Sequence, residues 1–169
     1  MPIQFQLNKH KAVNSVLWLI QRGERDMYRI WKMLFAADKY HLNTYGRPIT
    51  SDTYYAMAYG TVPAWLYDVA IEQPGVGFAR AGNSLIPERT FIRELFSETD
   101  IEALEYGYKE YSGALTFGEI MDKNHKEAAW AKHWENRGQL KKVPIPYEDL
   151  VDEAWLREEL EWRSYSMVI

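Results

Sequence analysis

The chain predicts a mainly α, α+β fold: one helical domain over 1–169, with about six to seven helices and a short β-hairpin or small sheet. Apolar residues recur at helical spacing along most of the sequence, and capping residues and glycines bound those stretches. A Thr- and Tyr-rich run, Thr53–Tyr59, breaks that rhythm between Pro48 and Gly60 and reads as extended.

Taken in order, Asn8 caps a first helix whose face is Val13, Val16, Leu17 and Ile20, and Gly23 stops it. Asp26 caps a second, with Met27, Ile30, Trp31, Leu34 and Phe35 in its stripe, ended by Gly46 and Pro48. After the extended run, Gly60-Thr61-Val62-Pro63 reads as a turn, with Pro63 in the first turn of a third helix carrying Val62, Trp65, Leu66 and Val69. Pro74-Gly75-Val76-Gly77 ends that helix, and residues 75–93 suit a short hairpin. Ser97-Glu98-Thr99-Asp100 and Thr116 to Glu119 read as capping boxes for two more helices. Ala128, Ala129, Trp130 and Trp134 continue as another helix. Lys141 to Ile145 reads as a connector, and Pro146 as the first residue of the last helix.

Composition narrows the function. Hydrophobic residues make up 47% and aromatics 15%, enough for a packed core and too much for disorder. The net charge is −4, with Lys and Arg scattered among Asp and Glu. A phosphate-gripping protein clusters its basic residues, so no nucleic-acid partner is expected; a mildly acidic surface suits a basic protein. Without Cys there are no disulfides or thiolate sites. No apolar run approaches the ~18 residues of a membrane span, so the expectation is a cytoplasmic protein with no membrane partner.

Motifs from Trp31 onward carry a resemblance. Lys32-Met33-Leu34-Phe35-Ala36, Tyr45-Gly46-Arg47-Pro48-Ile49-Thr50, Ala56-Met57, and Val62-Pro63 with Leu66-Tyr67-Asp68 occur in order. Asn124-His125-Lys126-Glu127-Ala128-Ala129-Trp130 and Ile145-Pro146-Tyr147-Glu148-Asp149-Leu150 follow. This order resembles the Panacea (SocA-like) antitoxin domain family. The resemblance implies an antitoxin that neutralises a cognate toxin protein by direct binding. An alternative it allows is a mobile-element interaction protein, or an adaptor delivering a partner to an ATP-dependent protease. Asp38, His41, Gly46, Pro48, Gly60, Pro63, Trp65, His125 and Trp130 then stand at structural positions of the family pattern. Thr61 and Asn124 depart from it: the family usually has Pro at the first and Thr or Ser at the second. Thr61→Pro is accordingly expected to be tolerated, and Gly60→Val to be disruptive.

The residues themselves offer little catalysis. Asp38 and His41 lie three apart on one helix face; with His125 and Glu127 they could ligate a metal or form a buried polar cluster. The spacing matches no metal-site pattern, so polar packing is the expectation, with no metal and no cofactor. No nucleophile elbow, phosphate loop or dinucleotide fingerprint is present, and an enzyme is not expected. Tyr54, Tyr55, Tyr59 and Tyr67 are the candidate partner contacts. In a strand Tyr54 and Tyr55 face opposite sides, so either can be core while the other is available. An exposed strand edge here could also accept a partner strand.

Overall fold

α1 (Lys9–Arg22) is buried along its central nine residues. The computed structural model describes residues 2–73 and 75–168; Pro74 lies outside them. Asn8 accepts from Lys11 N, and Gly23, at φ 129, donates to the last carbonyls, as the sequence predicts. Burial is wider than the single predicted face: every residue from Ala12 to Ile20 is buried, including Asn14 and Ser15. Asn14 Oδ1 accepts from Ile92 N (2.8 Å) and Arg89 Nη1 (3.1 Å), which makes a polar residue tolerable there.

α2 (Met27–Tyr45) starts at Asp26, whose side chain accepts from Tyr28 N, and stops at left-handed Gly46. α4 (Glu98–Tyr111) begins with the predicted capping box of Ser97 and Asp100 and packs along α2. Gly107 permits the approach: a Cβ there would sit 2.2 Å from the Met33 carbonyl oxygen.

The predicted extended run is β1 (Tyr54–Met57), and its residues alternate buried and half-buried. Two neighbouring readings are corrected. Gly60–Pro63 is not merely a turn but β2, antiparallel to β1 with Ala56 opposite Thr61. The connector at 141–145 contains β5 (Lys142–Ile145), which pairs with the other side of β1. The sheet order is β2-β1-β5, so β1 is the central strand and offers no edge. β5 escaped the sequence reading because Pro144 within a four-residue strand argues against pairing, except on an edge, where its missing N–H faces outward.

α3 (Ala64–Glu72) follows β2 directly, with Pro63 at its N-cap. β3 (Phe78–Ala81) and β4 (Ser84–Pro87) form the predicted hairpin. α5 (Phe117–His125) and α6 (Ala128–Glu135) follow α4. Pro146 does not open the last helix: it precedes a 3-10 turn at Tyr147–Leu150, and α7 (Ala154–Val168) starts later. The turn is held in place because the Tyr147 hydroxyl donates to the Asp52 carbonyl and Arg157 donates to the Glu148 and Val151 carbonyls. Among the described residues there are thus seven α-helices and two small antiparallel sheets.

Two apolar clusters result. One gathers α1, α2, α3 and α4 around Leu17, Trp31 and Leu104. The other joins Phe35 and Leu42 of α2 to Tyr54, Ile145, Trp130 and Leu160. α2 therefore separates the cores and presents its N-terminal half to what lies between the hairpin and α6.

Candidate functional site

A groove of about 710 Å³ opens beside that N-terminal half of α2. Its floor is Tyr28, Trp31 and Lys32 of α2. The β1–β2 turn supplies Tyr59 and β2 supplies Val62, while Tyr67 comes from α3 and Phe117 from the start of α5. The opposite rim is Trp134 at the end of α6 and, in the segment after it, Arg137, Leu140 and Lys141. Tyr59 and Leu140 are each 61% exposed, so two large side chains stand at the mouth in water.

The aromatic wall is organised. The rings of Tyr28 and Phe117 lie 4.4 Å apart, and Tyr59 meets Phe117 edge-on at 5.6 Å. The Tyr28 hydroxyl donates to the Tyr59 carbonyl at 2.7 Å, tying α2 to the hairpin turn. Burial pushes that phenol up to about 12, so it remains a donor across the ordinary pH range. Across the groove, the Arg137 guanidinium stacks on Trp134 at 3.8 Å.

Two donors in the floor are poorly matched. Lys32 is fully buried; its ammonium donates to the Thr61 carbonyl at 2.7 Å and lies 4.3 Å from the Tyr28 ring centre. A carbonyl and a π face are weak compensation for a buried charge. Burial pulls Lys32 down to about 7, with Asp26 acting in the opposite direction. Trp31 Nε1 is buried and has no acceptor among the described residues.

Behind the groove, Asn124 of α5 clasps β2. Its Oδ1 accepts from Thr61 N at 2.7 Å, and its Nδ2 donates to Thr61 Oγ1 (3.2 Å) and the Tyr111 hydroxyl (3.3 Å). Gly60, at φ 121, has no room for a side chain: a Cβ would lie 2.1 Å from Asn124 Oδ1 and 2.9 Å from Lys32 Cε. Thr61 and Asn124, which the sequence reading set apart from the pattern it resembles, are therefore bonded to each other. This overturns the expectation that Pro is tolerated at 61, because Pro lacks the N–H that Asn124 accepts.

Of the four candidate contacts, Tyr59 and Tyr67 line the groove. Tyr54 is corrected: it is 1% exposed, its ring packs edge-on against Phe35, and its hydroxyl donates to Asp38 at 2.6 Å. Tyr55 is half-buried on the other face of β1, with the Lys142 ammonium 5.2 Å from its ring centre, outside the groove.

Asp38 is a structural hub. It accepts from Ile49 N, Thr50 N, Thr50 Oγ1 and the Tyr54 hydroxyl, fixing the chain just after Gly46 and Pro48. Burial raises its pKa, and these hydrogen bonds oppose the rise. His41 bridges the Arg47 carbonyl (2.5 Å) and Thr99 Oγ1 (2.9 Å), 3.4 Å from Asp100, and burial lowers its pKa. His125 belongs elsewhere: it meets the Ala58 carbonyl at 3.1 Å and stacks on Trp130 at 3.8 Å. Glu127 pairs with Lys39 at 2.8 Å. The possible metal set of Asp38, His41, His125 and Glu127 is not assembled, and among the described residues no three such groups are placed to hold an ion.

Trp130 Nε1 donates to the Met57 carbonyl, anchoring α6 to the hairpin. Trp65 is half-buried beneath Lys9. Its N–H and that of Leu66 are taken by the Asp52 carboxylate, 3.0 Å each, which caps α3 from outside the local sequence. The sequence reading missed this cap, because no local signal marks a capping residue so far upstream. It also missed Lys32, although a lysine inside the apolar run Trp31 to Phe35 was a signal in plain view.

A protein-family model described as "Antitoxin SocA-like, Panacea domain" matches residues 30–131. The chain belongs to this family. No curated protein and no solved structure matches it. The match takes in Trp31 and Lys32 of the floor, the β1–β2 turn, Tyr67 and Phe117; Tyr28, Trp134, Arg137, Leu140 and Lys141 fall outside it. Among the described residues, no helix of this Panacea domain is long and apolar enough to cross a membrane.

Proposed function

We propose that this protein is the cytoplasmic antitoxin of a toxin–antitoxin pair and neutralises its toxin by direct, non-enzymatic contact. Membership of the Panacea family supports an antitoxin-like role. The observation that carries direct contact is the groove, apolar at its centre and rimmed by exposed Tyr59 and Leu140. Aromatic anchors around a desolvated pocket are the usual source of binding energy between proteins. The carboxylates and imidazoles best placed for chemistry are occupied instead: Asp38 has four donors, and His41 uses both ring nitrogens.

Co-expression with the neighbouring gene tests the reading. The expected result is rescue of growth together with a complex that co-purifies. Rescue with no complex, or with a covalently altered toxin, refutes direct neutralisation. Disappearance of the toxin only in cells that hold an ATP-dependent protease would point to delivery instead.

A further inference from the structure

We infer that the groove between α2, the β1–β2 turn and the segment after α6 receives an apolar segment of the partner protein that is flanked by carboxylates. The inference deepens the toxin-binding proposal and rests on it for the identity of the partner.

Charge is the first argument. The whole chain is acidic, at −4, yet the groove's rim carries Arg137 and Lys141 against Asp26, with Lys32 buried in the floor. Asp26 is already committed as the cap of α2, accepting from Tyr28 N at 3.0 Å. A partner chosen on overall charge would be basic; one chosen by this groove is acidic at its edges.

The unmatched donors are the second argument. Trp31 Nε1 is buried in the floor with no acceptor among the described residues, so the base of the groove holds donors and no spare acceptor. The charged donors of the rim are Arg137 and Lys141. Carboxylates of the bound segment meet those donors, while its apolar side chains cover Tyr59, Phe117 and Leu140. A basic segment would bring further donors to a site that already has too many. Lys32 contributes less: it is shielded by Tyr28 rather than open to water, and burial leaves it only partly charged near pH 7.

Selection from a phage-displayed random peptide library on the isolated protein tests this. The counter-selection target is the variant carrying Tyr59→Ala and Leu140→Asp, whose changed side chains are exposed and leave the fold intact, as a matched thermal melt checks. The expected winners hold two or more apolar residues beside Asp or Glu. A synthetic peptide of that sequence should bind the wild type at least about tenfold more tightly than the double variant. Lys141→Glu should weaken the same peptide by several-fold, and more so at low salt. Basic winners, or winners that bind the double variant equally, overturn the inference.

Size-exclusion chromatography and light scattering supply the other arm. Concentration-dependent self-association that Leu140→Asp abolishes would make a second copy of the chain the occupant, and would also overturn it. Failure of the toxin reading looks different. In that case acidic apolar peptides still select the groove, but the neighbouring gene product does not co-purify.

Discussion

Gly60→Ala puts the clasp behind the groove to its severest test. The new Cβ would sit 2.1 Å from Asn124 Oδ1, well inside contact distance, and φ 121 is a conformation that side-chain-bearing residues rarely adopt. Backbone strain of this kind costs about 1–3 kcal/mol. Displacing Asn124 strands the buried Thr61 N–H, which costs about 1–3 kcal/mol more. The combined loss is about 3–5 kcal/mol, read by urea denaturation at 25 °C, or a fall in Tm of roughly 10 °C for a chain of this size. Asn124→Ala alone should cost about 1–3 kcal/mol. In that background Gly60→Ala keeps its backbone strain but loses the worst clash, because the next neighbour, Lys32 Cε, ends a flexible side chain. The two changes should therefore couple by about 1–2 kcal/mol, less loss together than summed. Strict additivity, or a Gly60→Ala protein within about 1 kcal/mol of wild type, would refute the clasp.

Other expectations follow from the same geometry. Thr61→Pro should cost about 1–3 kcal/mol in thermal or urea melts, and clearly less when Asn124 is already Ala. Gly107→Ala should push α4 off α2, since its Cβ meets the Met33 carbonyl at 2.2 Å; a melt within about 1 kcal/mol of wild type would contradict so close a crossing. Lys32 titrates near 7 when folded and near 10.5 when unfolded, so the unfolded chain binds more protons between those values and stability rises with pH there. From pH 7.5 to 9 the gain should reach about 2 kcal/mol, and Lys32→Met should flatten it; an unchanged slope in the variant assigns the effect elsewhere. Tyr54→Phe should cost about 1–3 kcal/mol by removing one donor from Asp38 yet leave partner affinity unchanged, whereas Tyr59→Ala should do the reverse.

The helices were legible because their signals are local. Asn8, Asp26, Ser97 and Thr116 each accept from a backbone N–H two or three residues on, and Gly23 and Gly46 stop their helices within one residue. What sequence reading missed depends on partners far away. β5 exists because β1 is there to pair with it, and α3 is capped by Asp52 across a strand hairpin. The groove was half legible: Tyr59 and Tyr67 could be named from their type, but Trp134 lay in a helical stripe, Lys141 in a segment that reads as a connector, and Leu140 carried no signal at all. Tyr54 and Tyr55 were separated by the alternation of a strand, which says that one faces inward without saying which.

The pairing of β1 with β5 sets an order of events during synthesis. β2 follows β1 after a two-residue turn, so the hairpin can close as soon as it emerges. The other side of β1 then waits for the chain to pass through α3, the β3–β4 hairpin, α4, α5 and α6. Until then it carries unpaired backbone donors and acceptors, a template for unwanted strands. Leu140 and Lys141 immediately precede β5, so the same late step that closes the sheet brings the last rim residues to the groove. A chain that has not yet reached β5 has no finished groove. The delay between closing the first hairpin and completing the groove is thus written into the position of one four-residue strand.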